Sequence, residues 1–457
     1  MNSLRKRSTR LECEALEDRV TPATLTWLGA ASGLWSNPGN WGTTDQTHTV
    51  PYDGADLVFP ATAGNLTQID DLPALSLSTI TFLGGGYQIS DNNGITLPGK
   101  TLLTPVISVE SGGADSIGNV IIDVTGGPAA LIAFSPAVSS HLSISQLIVN
   151  GRSDQISSFD IFPSSLASNP PLSIVSVGSM QLNGMIYIEV DNSALDLLPG
   201  CLLQLPPSGR LSLADNGHML VENGAGFDDL GSTVIGFVSP GSTVTNSSSE
   251  LDVAGWLTVG QELGPDPHQV DLNVDGGLLF VQSTGILYVR STLMVGFDNV
   301  FIESGAVTEV GGELYTAGLI IVENAATIYI EHQTAFCVVA PGGQLYDIGL
   351  VEAVEGGQFY TYGLSQIIGT GTSGLYVYDG TIYVEPGGDL YAYGLVAAEP
   401  NTAFYDYGLF CLEPSGYLYV AGLFVVEPGA LFFDYGPFVA PGGTYFNFGR
   451  QIGWGHL

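Results

Sequence analysis

The sequence predicts an all-β protein, an elongated parallel β-solenoid (a β-helix or β-roll) with fourteen-residue coils in its C-terminal third. Three observations predict it. Glycine recurs with a period of fourteen, apolar runs of four to six residues are cut by Gly, Pro, Asn and Asp, and no window spaces its apolar positions for a helix.

The period is read from Gly349 through Gly363, Gly380, Gly394, Gly408, Gly422, Gly436 and Gly449, at intervals of 14, 17, 14, 14, 14, 14 and 13. One unit, G-L-F-V-V-E-P-G-A-L-F-F-D-Y, is two short strands with a Pro-Gly corner on one side and a Gly corner on the other. The three-residue insertion after Gly363 and the single deletion near the end leave the strands intact, as changes in loop length do.

Aligned on their glycines, the units sort the second strand into faces. Tyr360, Tyr391, Tyr405, Tyr419, Phe433 and Phe446 share one position, and Tyr362, Tyr393, Tyr407, Ala421, Tyr435 and Phe448 share the position two residues on. Between them stand Thr361, Ala392, Asp406, Val420, Asp434 and Asn447, which must point to the opposite side. The segments around Tyr315 and Tyr346 carry the same signature. In a parallel solenoid each coil lies about 4.8 Å above the last. Like residues would then stack on like, giving two aromatic ladders whose ring pairs contribute about 0.5 to 1.5 kcal/mol each. The competing arrangement is an antiparallel meander, because Pro-Gly also suits hairpins.

Composition narrows the function classes. The 457 residues carry 45 Asp and Glu against ten Lys and Arg, for a net charge of −35. Five of those cations (Arg5, Lys6, Arg7, Arg10, Arg19) fall in the first nineteen positions, leaving Lys100, Arg152, Arg210, Arg290 and Arg450 for the rest. Such a chain is a poor partner for nucleic acid or anionic lipid. Its 45% hydrophobic content argues against disorder. Cys13, Cys201, Cys337 and Cys411 are too dispersed for a disulfide framework. No apolar stretch is long enough for a transmembrane helix, and the C-terminal residues keep the short repeat instead of the ten-residue alternation of a membrane barrel.

Four divisions are expected: a basic export-type segment at 1–22, a Trp-rich β unit or cap at 23–100, an irregular solenoid at 101–348 and the regular repeat at 349–457. The N-terminus starts like a secretory leader but lacks an apolar h-region. LECEALEDRVTPA resembles the L-E-x-L-E-x-R segment of large surface proteins of planctomycete-type bacteria, which implies export. The following TWLGAASGLWSNPGNW and VPYDGADLVFP, with Trp27, Trp35, Ser36, Asn40 and Trp41 ahead of Pro51, Gly54 and Asp56, are similar to the opening unit of bacterial β-strand-repeat proteins related to autotransporter passenger domains. That resemblance covers about the first hundred residues, continuing through LSTITFLGGGYQISDNNGITLPG. The three Trp can cover the open end of a sheet stack, or serve as a carbohydrate-stacking platform.

Several residues invite a chemical reading. Glu385, Glu399, Glu413 and Glu427 fall at one place in four consecutive units, each before a Pro. Stacked about 5 Å apart they would repel by roughly 1 to 3 kcal/mol, and would be either solvated at a turn or bridged by calcium. Asp271, Asn273, Asp275 and Gly276 match the first half of a calcium loop, but Gln282 replaces the bidentate Glu and the flanks read as strands, so a plain corner is the competing reading. Gly369, Gly371 and Gly374 spell a dinucleotide glycine loop that leads into a strand, where no helix N-terminus can hold a phosphate. His48, His141, His218, His268, His332 and His456 show no ligand spacing. Asp70 with Asp71, and Asp228 with Asp229, would point to opposite faces of a strand and make poor acid and base couples.

The sequence thus reads as an extracellular or cell-surface structural or adhesive scaffold of bacterial type, without catalytic activity. A glycan-binding or glycan-cleaving β-helix is the alternative. The partners expected are surface or matrix polysaccharide or protein, or further copies of the chain, and calcium is the one cofactor suggested.

Overall fold

The computed structural model describes residues 23–453 except 45–47, 92, 101–103, 111, 127–128, 135–138, 154–156, 164–171, 215, 238–248, 260–269, 275–276, 290–291, 296–298, 303–305, 311–312, 317–318, 323–326, 331–335, 342, 348, 355–356 and 369–373. The export-type segment and its Cys13 lie outside these residues. Short strands follow one another throughout, and the one helical piece among the described residues is the 3₁₀ turn Pro38–Asn40.

The strands form a parallel β-solenoid with three sides. Thr381–Val384 lies on the first face, Asp389–Ala392 on the second and Leu395–Ala398 on the third. Ala403–Asp406 then returns to the first face, parallel and in register, with Tyr405 beside Tyr383. The second and third faces repeat likewise, with Asp389 beside Leu409 and Leu395 beside Tyr417. The antiparallel meander is excluded, because successive strands of each face run in the same direction, the pairing of Trp41–Thr43 with Thr24–Trp27 apart.

The coil is longer than fourteen residues. Tyr383 is followed in its column by Tyr405, 22 residues on, and then by Val425, 20 residues on. One turn is therefore three strands with their corners, and a fourteen-residue unit covers two sides of it. The physical cause is that two kinds of corner alternate along a chain with an odd number of sides. The long corner, as at Glu385–Pro386–Gly387–Gly388, is a turn closed by Gly388 N–H donating to the Glu385 carbonyl, with Gly387 at φ +88°. Proline before a residue of positive φ is the type II arrangement, and Asn401 at φ +69° serves the same role after Pro400. The short corner is two residues, as at Tyr407 and Gly408. A Cβ on Gly408 would stand 2.4 Å from the Glu385 carbonyl oxygen and 2.5 Å from that of Gly388. The glycine period thus marks where one coil's backbone rests on the last.

Alternation along each strand decides inside from outside, as expected, and the side the aromatic positions take is the outside. Thr361, Asp406, Val420 and Asp434 point inward and are buried. The shared aromatic positions face solvent, with Tyr407 38% and Phe448 61% exposed. The two continuous ladders are corrected accordingly. Tyr391 and Phe433 lie on the second face with Cys411 between them, Tyr419 lies on the third between Ala397 and Val439, and Tyr405 and Phe446 lie on the first with Val425 between them. Cohesion comes from one interior cluster running from Leu25 to Phe438. Near its C-terminal end Phe404, Phe410, Phe424 and Phe432 pack with centroids 4.7 to 6.0 Å apart. Each such ring contributes about 1.5 to 3 kcal/mol by leaving water.

Toward the N-terminus the coils are less regular. The strands Gly113–Asp123 and Ser140–Asn150 run on through what is a corner elsewhere, so Gly113–Asp123 pairs with both Gln88–Asp91 and Ile95–Pro98. The third face becomes a separate sheet at Leu202–Leu205. At the start of the described chain, Thr24–Trp27 pairs in parallel with Asp56–Phe59 on one side and antiparallel with Trp41–Thr43 on the other.

Candidate functional site

The outer surface of the first face, over Gln358–Thr361, Thr381–Val384, Ala403–Asp406, Leu423–Val426 and Thr444–Asn447, holds three of the aromatic residues singled out in the sequence, Tyr360, Tyr405 and Phe446. Its central column reads Tyr360, Tyr383, Tyr405, Val425, Phe446 in register. The first three rings stack, with centroids 4.6 Å apart at 7° between Tyr360 and Tyr383 and 5.5 Å apart at 13° between Tyr383 and Tyr405. Because the rings face one another along the solenoid axis, they offer solvent their edges, and the Tyr360 hydroxyl donates to Gln358 Oε1. Burial first, then the neighbouring Tyr383, Tyr362 and Glu385, raises the Tyr360 phenol above its ordinary value.

Beside this column runs the corner leading to the second face, where Tyr362, Glu385, Tyr407, Glu427 and Phe448 follow one another coil by coil. Phe446 and Phe448 stack at 6.0 Å at its C-terminal end. The Tyr407 phenol is raised by partial burial and then by Glu427 and Glu385, which lie on the coils either side of it.

The glutamate ladder is therefore corrected. Glu385 and Glu427 share a corner but lie two coils apart, about 9.6 Å along the axis. Glu413 sits on the corner between second and third faces, with Tyr393 and Tyr435 on the adjacent coils, and Glu399 on the corner between third and first. All four are half-buried at turns. Oxygen ligands must approach calcium to about 2.3 to 2.6 Å, a distance that carboxylates on separate corners do not share.

Asp271 and Asn273 belong to the strand Val270–Val274, and Asp275 and Gly276 lie outside the described residues. Among the described residues no group of three His, Cys, Asp or Glu is placed to hold a metal ion. Gly369 and Gly371 also lie outside them, and Gly374 opens the strand Gly374–Tyr378. Asp70 is buried while Asp71 accepts from the Ser36 N–H at 2.9 Å and the Ser36 hydroxyl at 2.6 Å, so the two do face opposite ways. Asp229 is buried and its neighbour Asp228 is not.

Coiling also brings together residues whose sequence spacing gave no signal. His141 Nε2 lies 2.7 Å from Ser176 Oγ, and that hydroxyl donates to Asp196 Oδ2 at 2.9 Å. The three sit on the outer surface of the second face, on successive coils. Ser176 is only 1% exposed and already gives its proton to a carboxylate. This is a polar clamp across coils, not an accessible nucleophile. Next along the face, His218 Nδ1 lies 3.5 Å from Glu250 Oε2, and burial lowers the His218 pKa. A separate open groove of about 640 Å³ is lined by Asp123, Thr125, Asn150, Arg152, Ser153 and Asn183. There the Asn183 amide donates to Asn150 Oδ1 at 2.9 Å.

Three tryptophans pack together beside the strand Thr24–Trp27. Trp27 and Trp35 are fully buried, Trp41 packs edge-on against both at 4.9 and 5.6 Å, and Trp35 Nε1 donates to Gln68 Oε1 at 2.9 Å. Rings so enclosed cannot stack on a sugar, and the Trp41–Thr43 strand pairs antiparallel along Thr24–Trp27.

No family model and no curated protein matches the sequence. Among solved structures the chain is similar to the TibC-catalysed, hyper-glycosylated TibA55-350 fragment, at 14% identity. The match covers 74% of this chain and 97% of that one, with a TM-score of 0.24. Nothing about this chain's partners follows from a likeness at that level. No helix among the described residues is long and apolar enough to cross a membrane.

Proposed function

We propose that the protein is a bacterial extracellular or cell-surface scaffold, structural and adhesive, without catalytic activity. The observation that carries this reading is the ordered outer surface. Aromatic rings and carboxylates repeat coil after coil on the solvated sides, with Tyr378, Tyr407, Tyr417, Tyr435, Phe446 and Phe448 all exposed. Of these, Phe446 and Phe448 stack together, with Tyr407 two coils away along the same corner, and such exposed apolar area marks an interaction surface. Spread over a rigid solenoid, individually weak contacts add through effective concentration. The acidic charge and the N-terminal resemblance to exported surface proteins support the same location. The partner is a neutral or basic surface polymer or protein, since like charge opposes an anionic one.

Cell fractionation with binding of the purified protein to immobilised polysaccharides and matrix proteins tests this. Surface recovery and retention that weakens when Tyr407, Tyr435 and Phe448 are changed to Ser support it. Recovery in the cytoplasm, or release of reducing ends from any glycan, overturns it. The groove at Asn150 and Asn183 favours glycan binding as the second reading, since clustered amides, carboxylate and guanidinium suit sugar hydroxyls. In that case Asn150→Ala and Asn183→Ala abolish retention while the outer tyrosines are dispensable.

A further inference from the structure

The column Tyr360, Tyr383, Tyr405 departs from the pattern around it. Elsewhere the outer columns interrupt their tyrosines with a smaller residue on every second coil, as Ala397 separates Tyr376 from Tyr419 and Cys411 separates Tyr391 from Phe433. Tyr383 occupies the position that Ala397, Cys411, Val425 and Val439 hold in other units. That single residue converts alternation into three tyrosines on three consecutive coils. All three are half-buried, so their edges reach solvent while strand register fixes their separation.

We propose that this column is a site of oxidative tyrosine coupling, in which Tyr383 is joined through a ring carbon next to its hydroxyl to the equivalent carbon of Tyr360 or Tyr405. The oxidant is hydrogen peroxide acting through a haem peroxidase. Each of two phenols loses one electron and one proton to become a phenoxyl radical. The radicals combine in a carbon–carbon bond, and both rings regain aromaticity by passing their displaced ring hydrogens back to the hydroxyl oxygens through water. The peroxide takes up the two electrons and two protons and leaves as two waters. Stacking at 4.6 and 5.5 Å holds the partners together before any radical forms, which favours the bond within one molecule over collision between molecules. The product is a covalent staple between coils, and it resists the peeling apart by which a solenoid unfolds.

The test treats the dilute, purified full chain with horseradish peroxidase and hydrogen peroxide. Dityrosine fluorescence is read on the monomer fraction, and linked peptides are mapped by mass spectrometry for the loss of two hydrogen atoms. The expected result is fluorescent monomer with Tyr383 linked to Tyr360 or Tyr405, and a raised unfolding midpoint after treatment. Tyr383→Phe keeps a stacking ring and the fold, checked by circular dichroism, yet loses the linked peptides and most of the fluorescence. Tyr419→Phe, on the third face between Ala397 and Val439, leaves both unchanged. Undiminished fluorescence in Tyr383→Phe overturns the proposal, as do coupled products confined to covalent dimers.

Discussion

Replacing Asp406 with asparagine is expected to raise stability at neutral and alkaline pH and to leave it unchanged in acid. Asp406 ends the strand Ala403–Asp406 pointing inward, fully buried, with Val384 and Val426 beside it on the adjacent coils. Its Oδ1 accepts the Gly408 N–H at 3.1 Å, while Oδ2 has no hydrogen-bond partner among the described residues. Burial pushes the carboxyl from 3.8 up to about 8, against the smaller opposing pull of the Gly408 N–H. The folded chain therefore holds a proton that the unfolded chain releases near pH 4. This contribution is fully present below the unfolded value and is lost as pH rises toward 8. At pH 7 the gap is about three units, or about 4 kcal/mol at 1.36 kcal/mol per unit, and interior relaxation trims this to roughly 2 to 4. Asparagine reproduces the protonated shape with nothing to ionise. Urea unfolding of both chains at about pH 4.5 and about pH 8 reads the difference as a slope of up to one proton. Parallel pH profiles for the variant and the natural chain would refute a buried neutral Asp406. Asp347, also pushed to about 8, and Asp70 and Asp160, pushed to about 7, act in the same direction. The natural chain is accordingly expected to be most stable in mild acid, well away from the alkaline range.

Tyr407→Glu places a third carboxylate between Glu385 and Glu427, and should lower stability by about 1 to 3 kcal/mol, recovered in high salt. Millimolar calcium should leave the melting temperature of the natural chain unchanged, and a rise would point to the stretch holding Asp271, Asn273 and Asp275. Gly408→Ala forces a Cβ onto two carbonyl oxygens of the preceding coil and should cost about 1 to 3 kcal/mol in denaturant unfolding. Gly387→Asn, in open space at φ +88°, should be mild by comparison. Trp35→Ala, which empties a fully buried position, should cost about 3 to 5 kcal/mol in denaturant unfolding.

Parallel stacking was legible in the sequence because strand alternation and recurring corners survive any reading of the coil. The number of sides was not. A two-strand period is what a two-sided coil would show, and it is equally what a three-sided coil shows when long and short corners alternate. Only register separates them, for example Tyr405 beside Tyr383 instead of beside Tyr391. The opposition of Asp406 and Asp434 to the aromatic positions was also legible. Which side is interior was not, because a tyrosine suits a half-covered outer face and a protonated Asp beside a tight turn suits the inside. The contacts of His141, Ser176 and Asp196 span 35 and 20 residues, so they depend on coil lengths that the irregular N-terminal region does not announce.

The mismatch between a two-unit repeat and a three-sided coil bears directly on how so acidic a chain stays folded. Were the coil fourteen residues, Glu385, Glu399, Glu413 and Glu427 would lie one above another about 5 Å apart, each repelling its neighbours. With three sides, consecutive glutamates advance two corners at a time, and a corner receives a second one only after two coils. The intervening position is filled by a short-corner residue, which is Tyr407 between Glu385 and Glu427. A phenol is neutral near neutral pH, and burial first, then both carboxylates, raises this one further, so it adds no charge between them. The repeat that defeats like-on-like stacking of rings is thus the same one that keeps carboxylates apart. It leaves the first-to-second and second-to-third corners alternating rows of acid and ring, while on the first-face strands Tyr383 stands where a smaller residue separates the outer rings elsewhere.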